Sequence, residues 1–174
     1  MSDLAVHIPT LTTERLTLRA PRPEDFEAFA QVMTSPRAGY MGGPYTHRAA
    51  AENFAAAAGS WVLRGYGGWT VTRRGEDAWL GEVAIAQPPR FPEPEIGWSF
   101  AAASEGKGYA TEAARAALDW ARGRVASLVS YVDVDNARSI ALTLRLGAAR
   151  DDDARRPDGE GPDETHVYRH WGPA

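Results

Sequence analysis

Apolar residues follow two different spacings along the chain, and the change from one to the other marks out the elements. Leu16 and Leu18 alternate with Thr17 and Arg19, a period of two that predicts a strand over Leu16–Ala20. Past Pro23 the interval lengthens, and Phe26, Phe29, Ala30 and Met33 predict a helix that Ser35-Pro36 ends. A loop rich in glycine and proline, Gly39 to Pro44, leads to Thr46, an N-cap for an alanine-rich helix reaching about Arg64. After the break at Gly65–Gly68, three strands are predicted at Gly68–Arg73, Trp79–Ala86 and Glu95–Ala101. The links between them are too short for parallel crossovers, so this run is antiparallel.

The second half of the chain is organised differently. Tyr109–Arg122 sets Ala110, Ala113, Ala114, Ala117, Leu118 and Ala121 against Glu112, Arg115, Asp119 and Arg122, an amphipathic helix. Leu128–Val134 is the next strand. Strand, helix and strand in that order make a crossover unit, so Glu95–Ala101 and Leu128–Val134 lie parallel. Asp135 then reads as the N-cap of a last helix through Ile140, Ala141 and Leu144, stopped by Gly147. A polar connection leads to a final strand near His166–Trp171. The class is α/β, with a mixed sheet and helices on its faces.

A length of 174 residues with 44% hydrophobic and 24% charged positions suits a single domain, 1–174, with its core at about 10–171. The absence of cysteine excludes disulfides, a thiolate metal cage and a cysteine nucleophile. The first residues lack a basic-then-apolar leader and no apolar run is long enough to cross a bilayer, so a cytoplasmic protein is expected. Net charge is -4, which disfavours a nucleic-acid binder. Its source is local: residues 151–164 hold seven acids and two arginines, a net of -5, and the other 160 residues sum to +1. An anionic ligand therefore meets no overall repulsion elsewhere. The acidic stretch reads as a solvated connector, with attraction of a cationic acceptor as the sharper alternative.

Residues 95–113, EIGWSFAAASEGKGYATEA, carry the most chemistry. A glycine turn between a strand and a helix N-terminus lets backbone N–H groups and the positive helix end receive phosphate oxygens, and Lys107 adds charge. A Walker loop is excluded, because Ala101 stands where its first glycine is required and Gly108 where a Ser or Thr is required. A dinucleotide fingerprint lacks its third glycine at Thr111, although Asp133 is placed to bind ribose. His166 and His170 lie in a strand-like segment without a third ligand, so no metal site is expected. Trp61, Trp69, Trp79 and Trp98 read as core residues.

Together with VDVDNARSIALTLRLGA (132–148) and TERLTLRAPRPEDFEAF (13–29), this segment resembles the GNAT acetyltransferases, nearest to the branch with the ribosomal-protein N-terminal acetyltransferases. The resemblance implies a mostly antiparallel sheet of six to seven strands with one splayed parallel pair and helices on both faces. It implies acetyl-CoA as donor and a primary amine as acceptor, and a homodimer is a possible assembly; the charge and the short apolar runs leave no nucleic-acid or membrane partner expected. Gly106, Lys107, Gly108, Tyr109, Ala110 and Thr111 would cradle the pyrophosphate through backbone N–H groups. Trp98, Ser99 and Phe100 would flank the pantetheine arm, and Asn136 and Ser139 would contact it, Asn136 having helix capping as its plainer role. Glu95 takes the place of the family's carboxylate base, with Glu82 as second candidate. Two family positions differ: Ala103 replaces a Gln or Arg ahead of the loop, and Thr143 replaces the tyrosine that serves many relatives as acid, leaving Ser139 as a candidate donor. The resemblance implies direct attack of the amine in a ternary complex. A silent acyl-CoA-binding sensor is the alternative, and a dinucleotide-binding domain the second. The acceptor would be chosen by Gly39–Arg64 and Arg150–Glu164.

Overall fold

A computed structural model describes residues 6–173. The strands are β1 (Leu11–Thr12), β2 (Leu16–Arg19), β3 (Gly68–Arg73), β4 (Gly81–Ala86), β5 (Glu95–Phe100), β6 (Leu128–Asp133), β7 (Ala149–Arg150) and β8 (Thr165–Trp171). The helices are α1 (Phe26–Met33), α2 (His47–Arg64), α3 (Tyr109–Ala121) and α4 (Ala137–Arg145). The sheet runs β1-β2-β3-β4-β5-β6-β8-β7, antiparallel throughout except for β5 and β6. It has eight strands where six to seven were expected. The extra members are the two-residue β1 and β7, too short to display a period.

Alternation along the strands gives the sheet two faces. One carries Leu16, Leu18, Trp69, Val71, Val83, Ile85 and Ile96, and packs against Ala113, Ala114, Ala117 and Ala121 of α3, whose small side chains let the helix lie close. On the other, α2 meets β3 where Ala57 lies against Gly68 beside Glu82, and α1 packs on α2 through Phe29, Ala30, Met33 and Ala50. Buried Asp25, just ahead of α1, accepts from Arg19 Nη1 and Nη2 at 2.8 Å each and from Thr70 Oγ1 at 2.9 Å, fixing α1 to β2 and β3. Arg19 and Asp25 stay ionised because each is the other's counter-charge, which raises the arginine and lowers the carboxyl.

Most expected boundaries hold to within one residue, with two clear departures. The strand expected from Trp79 begins at Gly81, because Trp79 packs among the aromatic side chains of α1 and α2. Asp135 does not cap α4; Asn136 does, its side chain accepting from Ser139 N at 3.2 Å, while Asp133 accepts from Asp135 N at 2.8 Å to form the preceding turn. Within α4, Leu142 and Thr143 are buried while Leu144 faces solvent. Among the described residues no helix is long and apolar enough to cross a membrane.

The acidic stretch expected to be a solvated connector does expose Asp152, Asp153, Asp158, Asp163 and Glu164, but it is also anchored to the sheet at several points. Arg169 donates to Asp151 at 2.6 Å and to both oxygens of Glu93 at 2.8 and 2.9 Å, Arg156 donates to Thr165 O at 2.9 Å, and Ala154 is buried against Val129 and Val167. Arg90 and Glu160 form a further ion pair. Two of its seven acids, Asp151 and Glu160, are neutralised by counter-charges from elsewhere in the chain, Arg169 and Arg90.

Candidate active site

The parallel pair β5–β6 is joined in register only at Glu95 and Val129, and beyond that point the strands part. Ile85 N donates to Gly67 O, so odd residues of β4 face β3 while Glu82, Ala84 and Ala86 pair with Ser99, Gly97 and Glu95. By the same alternation Ile96, Trp98 and Phe100 turn their peptide groups toward the opening. Ile96 O accepts from Ser130 Oγ at 2.9 Å, and Phe100 O accepts from Arg37 Nη2 at 3.1 Å. The peptide groups of Trp98 lie between these two points on the open edge, whereas Ser99 spends its own on Glu82.

β5 leads into the glycine loop. Gly106 and Gly108 adopt φ of +71° and +77°, the left-handed region that side chains resist. A Cβ on Gly106 would meet nothing within 4 Å, so space above the loop is open. Arg15 holds the turn from beneath, donating to Lys107 O at 2.9 Å and to Glu112 at 2.7 Å. Glu112 N to Gly108 O is the first bond of α3, which leaves the N–H groups of Tyr109, Ala110 and Thr111 without helical acceptors. The Tyr109 ring is buried in the core, so this residue presents only its backbone. Glu105 is clasped by Arg37 at 2.6 Å and Arg138 at 2.8 Å, which holds its carboxyl below the usual range. The loop after α1 and the start of α4 are thereby fastened to the glycine turn.

Glu95, Gly97 and Ser99 share the α1/α2 face of the sheet with Glu82. Gly97 lies midway, with Glu95 and the Glu82–Ser99 pair each displaced by two residues, roughly 6.6 Å along the strand. Desolvation pushes the Glu95 carboxyl up to about 7, partly offset by the Tyr131 N–H and Arg90, while Glu160 adds to the rise. Glu82 is also pushed up to about 7, by desolvation alone. Both carboxyls are therefore poised to exchange a proton near neutral pH.

Asn136 and Ser139 stand at the start of α4, the helix that follows β6. Asn136 Oδ1 is taken up by capping, which leaves its NH₂ group to donate. Ser139 is half-buried one turn later, and Thr143 Oγ1 donates to Ser139 O at 2.7 Å, so the threonine hydroxyl is spent within α4. His166 and His170 do not converge: His170 Nε2 is 3.1 Å from Ser130 Oγ. Among the described residues no group of three His, Cys, Asp or Glu is placed to hold a metal. Sequence reasoning missed Tyr131 and Ser130, which read only as strand residues. The Tyr131 hydroxyl is buried without a partner, and burial pushes it up to about 12, so it remains protonated.

Comparison with known proteins fits this geometry. A profile described as Acetyltransferase (GNAT) domain matches residues 15–149. An acetyltransferase from Agrobacterium tumefaciens superposes with a TM-score of 0.88 at 38% identity, covering 98% of this chain and 99% of that one. A GNAT-family acetyltransferase from Bacillus anthracis gives 0.70 at 22% identity, over 92% and 97% of the two chains. An acetyltransferase from Salmonella typhimurium, one that modifies the N-terminal serine of a 50S ribosomal subunit protein, gives 0.70 at 16% identity over 92% and 98%. At those last two identities the likeness is one of fold.

Proposed function

Because the chain belongs to the GNAT acetyltransferase family, a class that draws its acetyl group from acetyl-CoA, we propose that it acetylates a primary amine by direct attack within a ternary complex. One observation carries this reading: the β5–β6 ladder opens immediately before an open left-handed glycine turn, with a desolvated carboxyl at the point of parting. Gly106 to Thr111 hold phosphate oxygens through backbone N–H groups. Trp98 offers its peptide N–H and C=O to the amide-bearing arm as an added strand, flanked by Ser99 and Phe100. Asn136 donates through its NH₂ group, with Ser139 beside it.

When bound, acetyl-CoA supplies a thioester carbonyl carbon for the amine to attack and a thiolate leaving group. The Trp98 N–H stabilises negative charge developing on the carbonyl oxygen. Glu95 accepts the proton that an ammonium acceptor must lose, directly or through one water. A thiol pKa of about 8.5 makes the thiolate a tolerable leaving group without a dedicated acid. Ser139 is the side chain assigned to donate if one is needed.

The amine enters from the α1/α2 face, between the segment after α1 and the connection 151–164. A protein N-terminus, an amino acid, a polyamine or an amino-bearing antibiotic all present the required nucleophile. Calorimetry with acetyl-CoA and NAD, followed by an amine screen that detects released CoA thiol, tests the reading. Binding of acetyl-CoA with thiol release is expected; binding without turnover on any amine identifies an acyl-CoA sensor, and no binding refutes both.

A further inference from the structure

The point where β5 and β6 part is closed by a side chain. Ser130 is buried in β6, and its single hydroxyl hydrogen goes to Ile96 O at 2.9 Å. The 3.1 Å contact between Ser130 Oγ and His170 Nε2 therefore needs the histidine as donor, which places a proton on Nε2. Burial and the Arg122 charge push His170 down to about 4, so the ring is neutral at working pH. The result is a directional chain from His170 on β8, through Ser130 on β6, to Ile96 on β5.

This chain determines what the neighbouring amide does. Val134 N donates to Glu164 O, so even residues of β6 face β8 while Val129 and Tyr131 face β5. In a regular parallel ladder the rung above Val129 would bring the Tyr131 N–H to Ile96 O. Ser130 satisfies that carbonyl from the side, so the Tyr131 N–H makes no rung with β5 and is left on the opening, where its dipole favours the charged form of Glu95. We propose that Ser130, oriented by His170, is a positioning residue that holds the strands apart at the acyl site and reserves the Tyr131 N–H for the Glu95 carboxylate. Neither residue touches the reacting atoms.

This inference rests on Glu95 being the base, and its test is arranged to separate the two ideas. Ser130→Thr and Ser130→Val have the same shape and differ only in the hydroxyl, so strain from added bulk is common to both. Thr is expected to keep the wild-type pH profile. Val frees Ile96 O to capture the Tyr131 N–H, which closes the opening by one rung. It should lower kcat roughly 10- to 100-fold, raise the KM for acetyl-CoA, and move the acidic limb of kcat/KM up by roughly half a pH unit or more.

Glu95 is also faced by Arg90 and Glu160 from flanking loops and by the Tyr131 hydroxyl; none of these changes in the pair. His170→Gln, which keeps a donor, and His170→Leu, which does not, supply an independent second pair with the same expected difference. Thermal unfolding of each variant reports whether it is folded. Equal pH limbs and kinetic constants within both pairs overturn the proposal. If Glu95→Gln leaves the acidic limb in place, the base assignment has failed; if Glu95→Gln abolishes the limb but the two pairs show no difference, only the positioning role has failed.

Discussion

Replacing Glu95 by Gln should stabilise this protein while disabling it. The carboxyl rises from 4.5 to about 7, mainly through desolvation. The folded state thus holds the proton more tightly than the unfolded chain. Wild-type stability consequently falls as pH rises from 4.5 through 7, the direction opposite to that of a salt-bridged acid. Ionising the group in the folded state costs about 3 kcal/mol at full desolvation, and about 1.5 kcal/mol after allowance for its partial exposure. The amide keeps the shape and an acceptor for the Tyr131 N–H but carries no charge. At roughly 2–4 °C per kcal/mol for a domain of this size, Tm should rise by roughly 3–6 °C at pH 9. Near pH 4.5 the gain should vanish. Activity moves the other way: kcat should drop roughly 100-fold or more at neutral pH, and the acidic limb near pH 7 should disappear. Calorimetric unfolding at pH 4.5 and 9, beside a pH–rate series, checks both. A retained limb would refute the catalytic assignment, and a Tm change independent of pH would refute the desolvation argument.

Glu82 offers the matching control, because it shows the same rise without the Tyr131 contact. Glu82→Gln should give a comparable alkaline stabilisation and a retained acidic limb; a lost limb would transfer the role of base to Glu82. Gly108→Val should weaken acetyl-CoA binding by tenfold or more, because φ of +77° strains any side chain and a Cβ there already lies 3.4 Å from Arg15 Nη2. Wild-type affinity in calorimetry would remove the cofactor from this turn. Asn136→Ala should lose about 1 kcal/mol of stability together with acetyl-CoA affinity, whereas Asn136→Asp keeps the capping oxygen and replaces the NH₂ donor by a charged acceptor, so only the affinity should fall. Unchanged acetyl-CoA affinity in Asn136→Asp would reduce Asn136 to a cap.

The glycine turn was legible because its requirement is local. Left-handed backbone ahead of a helix needs glycine, and Gly106 and Gly108 declare it directly. Glu95 was singled out by its place ahead of the turn and the family likeness, but its burial and ionisation were not legible. That depends first on desolvation by the folded chain and then on Tyr131, Arg90 and Glu160, which reach it from separate parts of the sequence. The anchoring of the acidic stretch was hidden for the same reason, since Arg90 and Arg169, the partners of Glu160 and Asp151, are brought to it by the fold.

The periods of the apolar residues and the glycine turn determined the class of fold, the order of its principal elements and the position of a left-handed turn ahead of a helix. Each is a property of residues close together in sequence, where backbone geometry and side-chain period act alone. The tertiary structure decided how far β5 and β6 stay joined, which peptide groups face the opening, and that Ser130 and His170 meet at Ile96. Those contacts span 34 and 40 residues of chain. They depend on register and desolvation, which exist only once the sheet has formed.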